Sequence, residues 1–191
     1  MLSNHFIYIP MKILALSDKK TENLKEVIRE LNPDLIITLW DFDYGDLMGL
    51  ELIDIPKMGV YWNHCSRWYM ERYGIQDLHL NTREFHGFIF GGFEWCVRYK
   101  NGDYIMYTQE EASTLLETFS KVDVFISHCP PFWINDNNDT AHEGFHALKT
   151  YIDKHSPKYL FHGHTYEDGN FITKYKNTEI VYIDRYKIIE I

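Results

Sequence analysis

Five apolar runs in this 191-residue chain each stop at a residue able to bind a metal ion. Ala15-Leu16-Ser17 leads into Asp18, and Ile37-Thr38-Leu39-Trp40 into Asp41. Val60-Tyr61-Trp62 leads into Asn63-His64, Phe125-Ile126-Ser127 into His128, and Leu160-Phe161-His162-Gly163 into His164. Short, nearly continuous apolar runs are the signature of strands covered on both faces. Open α/β sheets put their ligand sites beyond the carboxyl ends of such strands. A single Asp after a strand is ordinarily a turn former or a helix cap. Five such endings in one chain point instead to a shared site. Its mixture of carboxylate, amide and imidazole donors suits manganese, iron or zinc better than calcium, whose sites favour oxygen alone.

The remaining pattern is that of an α/β chain. Residues 12–17, 34–40 and 57–62 read as strands, and 21–31 as a helix with Leu24, Val27, Ile28 and Leu31 on one face and Asn32-Pro33 as its stop. Short strands are expected at 78–80, 85–91, 94–99 and 104–107, the last after an Asn101-Gly102 turn. Helices follow at 109–119 and 143–155, buried strands at 122–127 and 158–161, and alternating, antiparallel-looking strands at 171–174, 180–183 and 186–191. Two sheets packed face to face with helices outside accommodate this order. No repeat, Gly/Ser linker or charge block interrupts the chain, so one domain over residues 1–191 is expected, with residues 1–10 either an extension ahead of Met11 or an edge strand.

The net charge of −9 gives no broad attraction for a phosphate backbone, which argues against duplex nucleic acid as a partner. A small anionic ligand would need a local cation, and a bound metal is one way to supply it. Cys65, Cys96 and Cys129 are odd in number and show no C-x-x-C spacing, so neither a disulfide framework nor a zinc knot is expected, and a reducing cytoplasmic location is. Residues 1–10 lack the basic start and apolar core of a leader, and no apolar run approaches the roughly 18 residues of a membrane span. The 14 Tyr, 12 Phe and 5 Trp suit a core or an interface equally, so oligomeric state stays open.

Between residues 124 and 166 the chain reads VFISHCPPFWIND, TAHEGFHAL and PKYLFHGHTY. These stretches resemble the S-H-x-P-P strand end, the H-x-G loop and the closing G-H-x-H of the calcineurin-like metallophosphoesterases. PDLIITLWDFDY resembles the family's second motif and VYWNHCS its G-N-H-[DE], so the resemblance spans residues 12–183. It implies a four-layer α-β-β-α sandwich of two mixed sheets. It also implies phosphate-ester hydrolysis by two metal ions about 3.5 to 4 Å apart, which activate water and stabilise the attacking and leaving oxygens.

Carried over position by position, the second-site ligands are Asp41 as the bridging carboxylate, Asn63, His128 and His164, all present. The first site would use Asp18, a His two residues later, Asp41 and the last His of G-H-x-H. The two His positions hold Lys20 and Tyr166, so both losses fall on one metal and a single retained ion is expected. Lys20 either supplies part of the missing charge, pairing with Asp18 or a phosphate oxygen, or points into solvent. His64 resembles the catalytic histidine that protonates the leaving oxygen, with Cys65 in place of its acidic neighbour. Trp40 and Trp62 stand where the family has Gly, as core rings or as an aromatic wall for substrate. His142 resembles a loop position near the cleft or caps the next helix. Asp43 and Asp46 read as a solvated loop near Asp41. Asp136 and Asp139 could attract a cation, in a composition common to many loops. The expected function is a metal-dependent phosphatase or phosphodiesterase acting on a small phosphate ester. The alternative is a catalytically inactive relic serving as a phosphate-ligand or protein-binding module.

Overall fold

The computed structural model describes residues 10–40, 45–61, 69–101 and 106–191. Residues 1–9, Asp41, Asp43, Trp62, Asn63, His64 and Cys65 lie outside the described residues, as do the Trp40 ring and Gly102 of the expected turn.

Strand β1 (Lys12–Ser17) runs into helix α1 (Leu24–Leu31), and β2 (Leu35–Trp40) follows. Helix α1 ends as its sequence dictates: Asn32 adopts the left-handed conformation at φ 45° and its N–H donates to the Ile28 carbonyl, while Pro33 cannot extend the helix. After a 3₁₀ turn at Leu50–Leu52 come β3 (Lys57–Gly59), α2 (Tyr69–Tyr73) and β4 (Gln76–Asp77). The hairpin β5 (Thr82–Phe85) and β6 (Phe88–Phe93) leads to α3 (Gln109–Glu117), β7 (Val124–Ser127), α4 (His146–His155) and β8 (Tyr159–His162). Strands β9 (Phe171–Tyr175), β10 (Thr178–Tyr182) and β11 (Arg185–Glu190) complete the described order.

The strands form a five-stranded sheet in the order β11-β1-β2-β3-β4 and a six-stranded sheet in the order β5-β6-β7-β8-β10-β9. Period-two alternation sorts the side chains of β1 cleanly. Ile13 and Ala15 join Ile37, Leu39, Ile126 and Phe161 in a core contributed by both sheets, while Leu14 and Leu16 pack with Leu24, Ile28 and Met70 beneath α1 and α2. On the far face of the second sheet, Phe125, Leu160 and Ile180 pack against Ala112, Leu116, Leu148 and Ile152 of α3 and α4. The result is the expected four-layer α-β-β-α sandwich.

Several expected elements differ. The run 85–91 is not one strand, because His86 (φ 50°) and Gly87 (φ 78°) turn the chain into the β5–β6 hairpin. Residues 78–80 follow a two-residue strand, and of them His79 alone forms a bridge, with Gly92. Residues 94–99 keep only the Val97–Tyr107 bridge. Helix α2 has no counterpart in the sequence reading. The three final strands do not stay together: β10 pairs antiparallel with β9 but parallel with β8, and β11 crosses to pair antiparallel with β1.

Candidate metal centre

Asp18 follows β1 in one sheet, while His128 and His164 follow β7 and β8 in the other. Parallel pairing of β7 with β8 continues past the strands, where the Gly163 N–H donates to the His128 carbonyl at 3.1 Å. That register sets His128 beside the Gly163-His164 turn.

The two sheets are tied together at this point. Both carboxylate oxygens of Asp18 accept from the His164 N–H, at 3.0 and 2.9 Å, and Ser17 Oγ donates to Asp18 Oδ1 at 2.9 Å. The fit depends on Gly163. A Cβ there would lie 1.9 Å from Ser17 Oγ and 2.6 Å from Asp18 Oδ1, so the aspartate occupies the space a side chain would need. Asp18 (φ 58°), His164 (φ 78°) and Tyr166 (φ 53°) all hold left-handed backbone, three of the thirteen non-glycine residues that do so among the described residues.

The two imidazoles face one another. His164 Nδ1 stands 3.0 Å from His128 Nε2, with the ring centroids 4.7 Å apart. The outer nitrogens are both held by carbonyls, His128 Nδ1 by Leu39 O at 3.0 Å and His164 Nε2 by Ala141 O at 2.8 Å. A carbonyl only accepts, so in each neutral ring the outer nitrogen carries the proton and the inward nitrogen is a lone-pair donor. Two lone pairs at this distance need a proton or a cation between them. Burial, reinforced by the nearby His142, pushes the His164 pKa down to about 4, against the raising effect of the Ala141 carbonyl, which disfavours the shared proton at neutral pH.

The residues fit a metal. Two imidazole nitrogens each about 2.1 Å from one ion stand about 3.0 Å apart at a right angle and about 3.4 Å apart at the tetrahedral angle. Fixing the far N–H on a carbonyl is also how ligating histidines are oriented. Among the described residues no three metal-binding side chains converge; two further expected ligands, Asp41 and Asn63, lie outside the described residues.

Around this pair the structure extends and corrects the sequence reading. Lys20 Nζ lies 3.8 Å from the Asp46 carboxylate, with its side chain 54% exposed. Tyr166 is 48% exposed at the rim, its ring 5.7 Å from that of His142. His142 does not cap the following helix, which starts after Phe145 with no side-chain cap. Its ring stands 5.2 Å from His164, and its Nδ1 pairs with both oxygens of Asp139 at 2.9 Å. His162 is a buried anchor: Asn135 Nδ2 donates to its Nε2 at 3.0 Å, Thr173 Oγ1 donates to Asn135 Oδ1 at 2.6 Å, and burial pushes its pKa down to about 4. The sequence reading passed over a second cluster at the end of β6. There Glu94, 6% exposed, lies 3.6 Å from His79, whose Nδ1 accepts from the Glu94 N–H at 3.2 Å and whose Nε2 meets Tyr107 Oη at 3.1 Å. The only sequence hint was an acidic residue closing a buried run, Phe93-Glu94. Cys96 and Cys129 are buried, and burial raises the Cys129 pKa.

No protein-family model and no curated protein sequence matches the chain. Solved structures do. The Thermus thermophilus protein TT1561 is similar at TM-score 0.65, with 14% identity over 91% of this chain and 89% of its own. A novel phosphatase from Mycoplasma pneumoniae is similar at TM-score 0.51, with 13% identity over 91% of this chain and 71% of its own. A Staphylococcus aureus protein described as a 5'-nucleotidase is similar at TM-score 0.53, with 9% identity over 91% of this chain and 48% of its own. The fold is therefore metallophosphoesterase-like. No helix among the described residues is long and apolar enough to cross a membrane.

Proposed function

We propose that the chain is a metal-dependent hydrolase of small phosphate esters, acting with one divalent transition ion, manganese, iron or zinc. The observation that carries this reading is the pair of inward imidazole nitrogens, 3.0 Å apart, each oriented by a carbonyl on its far side. His128 and His164 would hold the ion together with Asp41 and Asn63. A bound ion of this kind supplies charge stabilisation for the phosphoryl oxygens and lowers the pKa of water.

The chain's own groups do the rest. Asp18, fixed by the His164 N–H and Ser17, keeps a carboxylate at the seam between the sheets. Lys20, two residues after Asp18 and ion-paired with Asp46, would contribute positive charge. His64 would give a proton to the leaving oxygen, a task for which imidazole is generally suited. The sequence losses at Lys20 and Tyr166 favour a second reading, a fold relative that binds phosphate ligands or a protein without turnover.

Hydrolysis of phosphomonoesters and phosphodiesters, with and without added Mn²⁺, separates the two readings. Metal-stimulated turnover that is lost in His128→Ala supports the enzyme. Failure of every ester in the metal-loaded protein refutes it.

A further inference from the structure

The loop over the imidazole pair carries a second feature. Phe132 and Trp133, with ring centroids 5.7 Å apart, line a cleft of about 240 Å³ together with Asp136, Asp139 and Glu143. Trp133 is 79% exposed, and its backbone is left-handed at φ 63°. An exposed indole on strained, non-glycine backbone is unfavourable in two ways at once, and such outliers point toward binding roles. The loop backbone around it is held: the Ile134 N–H donates to the Pro131 carbonyl at 3.0 Å, and the Asn135 side chain bonds His162 and Thr173. The cleft adjoins the metal centre, because Asp139 holds His142 against His164 and Asn137 Nδ2 donates to the Thr165 carbonyl at 3.2 Å.

Charge and size select the occupant. No Lys or Arg lines the cleft among the described residues, and its carboxylates repel phosphate while attracting a cation. An indole face is the best aromatic partner for a cation. The volume falls below the roughly 300–1,000 Å³ of clefts that enclose drug-sized ligands, so it suits a small headgroup better than a nucleoside. We propose that this cleft holds the ammonium group of an amino-alcohol phosphate whose phosphoryl end lies at the His128–His164 pair. This rests on the hydrolase reading. Water would add its oxygen to phosphorus as the P–O ester bond breaks, and the released amino alcohol would take up the proton.

The test has two arms. In calorimetric titrations of the full chain, choline should bind at least about tenfold more tightly than its neutral isostere 3,3-dimethylbutan-1-ol. That preference should collapse in Trp133→Leu and in the isosteric Glu143→Gln. No preference in the wild type, or a preference that survives both substitutions, overturns the proposal. In the second arm, kcat/KM for phosphocholine should exceed that for 3,3-dimethylbutyl phosphate by a similar factor, with the ratio falling in both variants. Equal turnover of the two esters refutes the role of the cleft alone. Turnover of neither refutes the substrate assignment, and the hydrolase reading falls with it only if the other phosphomonoesters and phosphodiesters fail as well.

Discussion

Gly163→Ala isolates the seam that joins the two sheets. Gly163 does not have a positive φ, so alanine there brings no backbone penalty, and the whole effect comes from one methyl group. That methyl would stand 1.9 Å from Ser17 Oγ and 2.6 and 2.9 Å from the Asp18 carboxylate oxygens, all closer than real Cβ contacts allow. Ser17 Oγ and Asp18 must both withdraw, and the carboxylate then loses its bonds from the His164 N–H and from Ser17. Hydrogen bonds to a charged acceptor contribute about 1.5–3 kcal/mol each, so the gross loss is roughly 3–6 kcal/mol. Rehydration of a shifted carboxylate and the lower unfolded-state entropy of alanine return part of this, about 0.4–1 kcal/mol for the latter. The expected net cost is about 2–4 kcal/mol in urea unfolding, accompanied by weaker metal binding as His164 loses its anchor. Gly45→Ala is the control, because a Cβ there meets nothing within 4 Å among the described residues, and it should stay within about 0.5 kcal/mol of wild type. If Gly163→Ala is as mild as the control, the reasoning about the seam is wrong.

Three further outcomes are expected. Burial holds the His79 pKa down to about 4, and its Nδ1 must stay unprotonated to accept from the Glu94 N–H, so protonation favours the unfolded chain, where the pKa is about 6.5. Its contribution, about 3 kcal/mol at most, is present above pH 6.5 and lost as the pH falls toward 4; a His79→Gln variant whose urea midpoint fell just as steeply with acid would remove this explanation. Thr108 and Glu111 form a reciprocal capping box at the start of α3, so Thr108→Ala should cost about 1 kcal/mol in thermal or urea unfolding, and a change below about 0.3 kcal/mol would contradict the cap's role. Lys20 is half exposed beside Asp46, so Lys20→Ala should raise KM for a phosphate ester only about two- to fivefold, and unchanged inhibition by inorganic phosphate together with unchanged turnover would exclude it from the site.

The strand ends were legible because both sheets are buried on each face: β1, β2, β7 and β8 appear as short apolar blocks, and the polar residue after each block marks the carboxyl edge of a sheet. Asp18, His128 and His164 emerged in this way, and the structure brings them together. What the sequence hid depends on long-range geometry or unusual backbone. A His-Gly turn does not announce a hairpin as Asn-Gly does, so β5 and β6 merged into one run. The exit of β11 to the other sheet leaves no local trace, because its alternation suits an edge strand in either sheet. Gly163 reads in sequence as part of G-H-x-H, and only the structure shows Asp18 in the space of its missing side chain. The Asp139–His142 and His79–Glu94 pairs are three and fifteen residues apart in sequence, and nothing in composition singles them out.

The central claim is that His128 and His164 aim two nitrogen lone pairs at one cation. Calorimetric titration of the chelator-stripped chain with Zn²⁺ or Mn²⁺, beside His128→Ala and His164→Gln variants confirmed as folded by circular dichroism, tests it directly. The account predicts one ion bound per chain, with proton-independent stoichiometry near pH 7, and at least about a tenfold loss of affinity in each variant. Absence of binding in the wild type, or equal affinity in all three proteins, would contradict it.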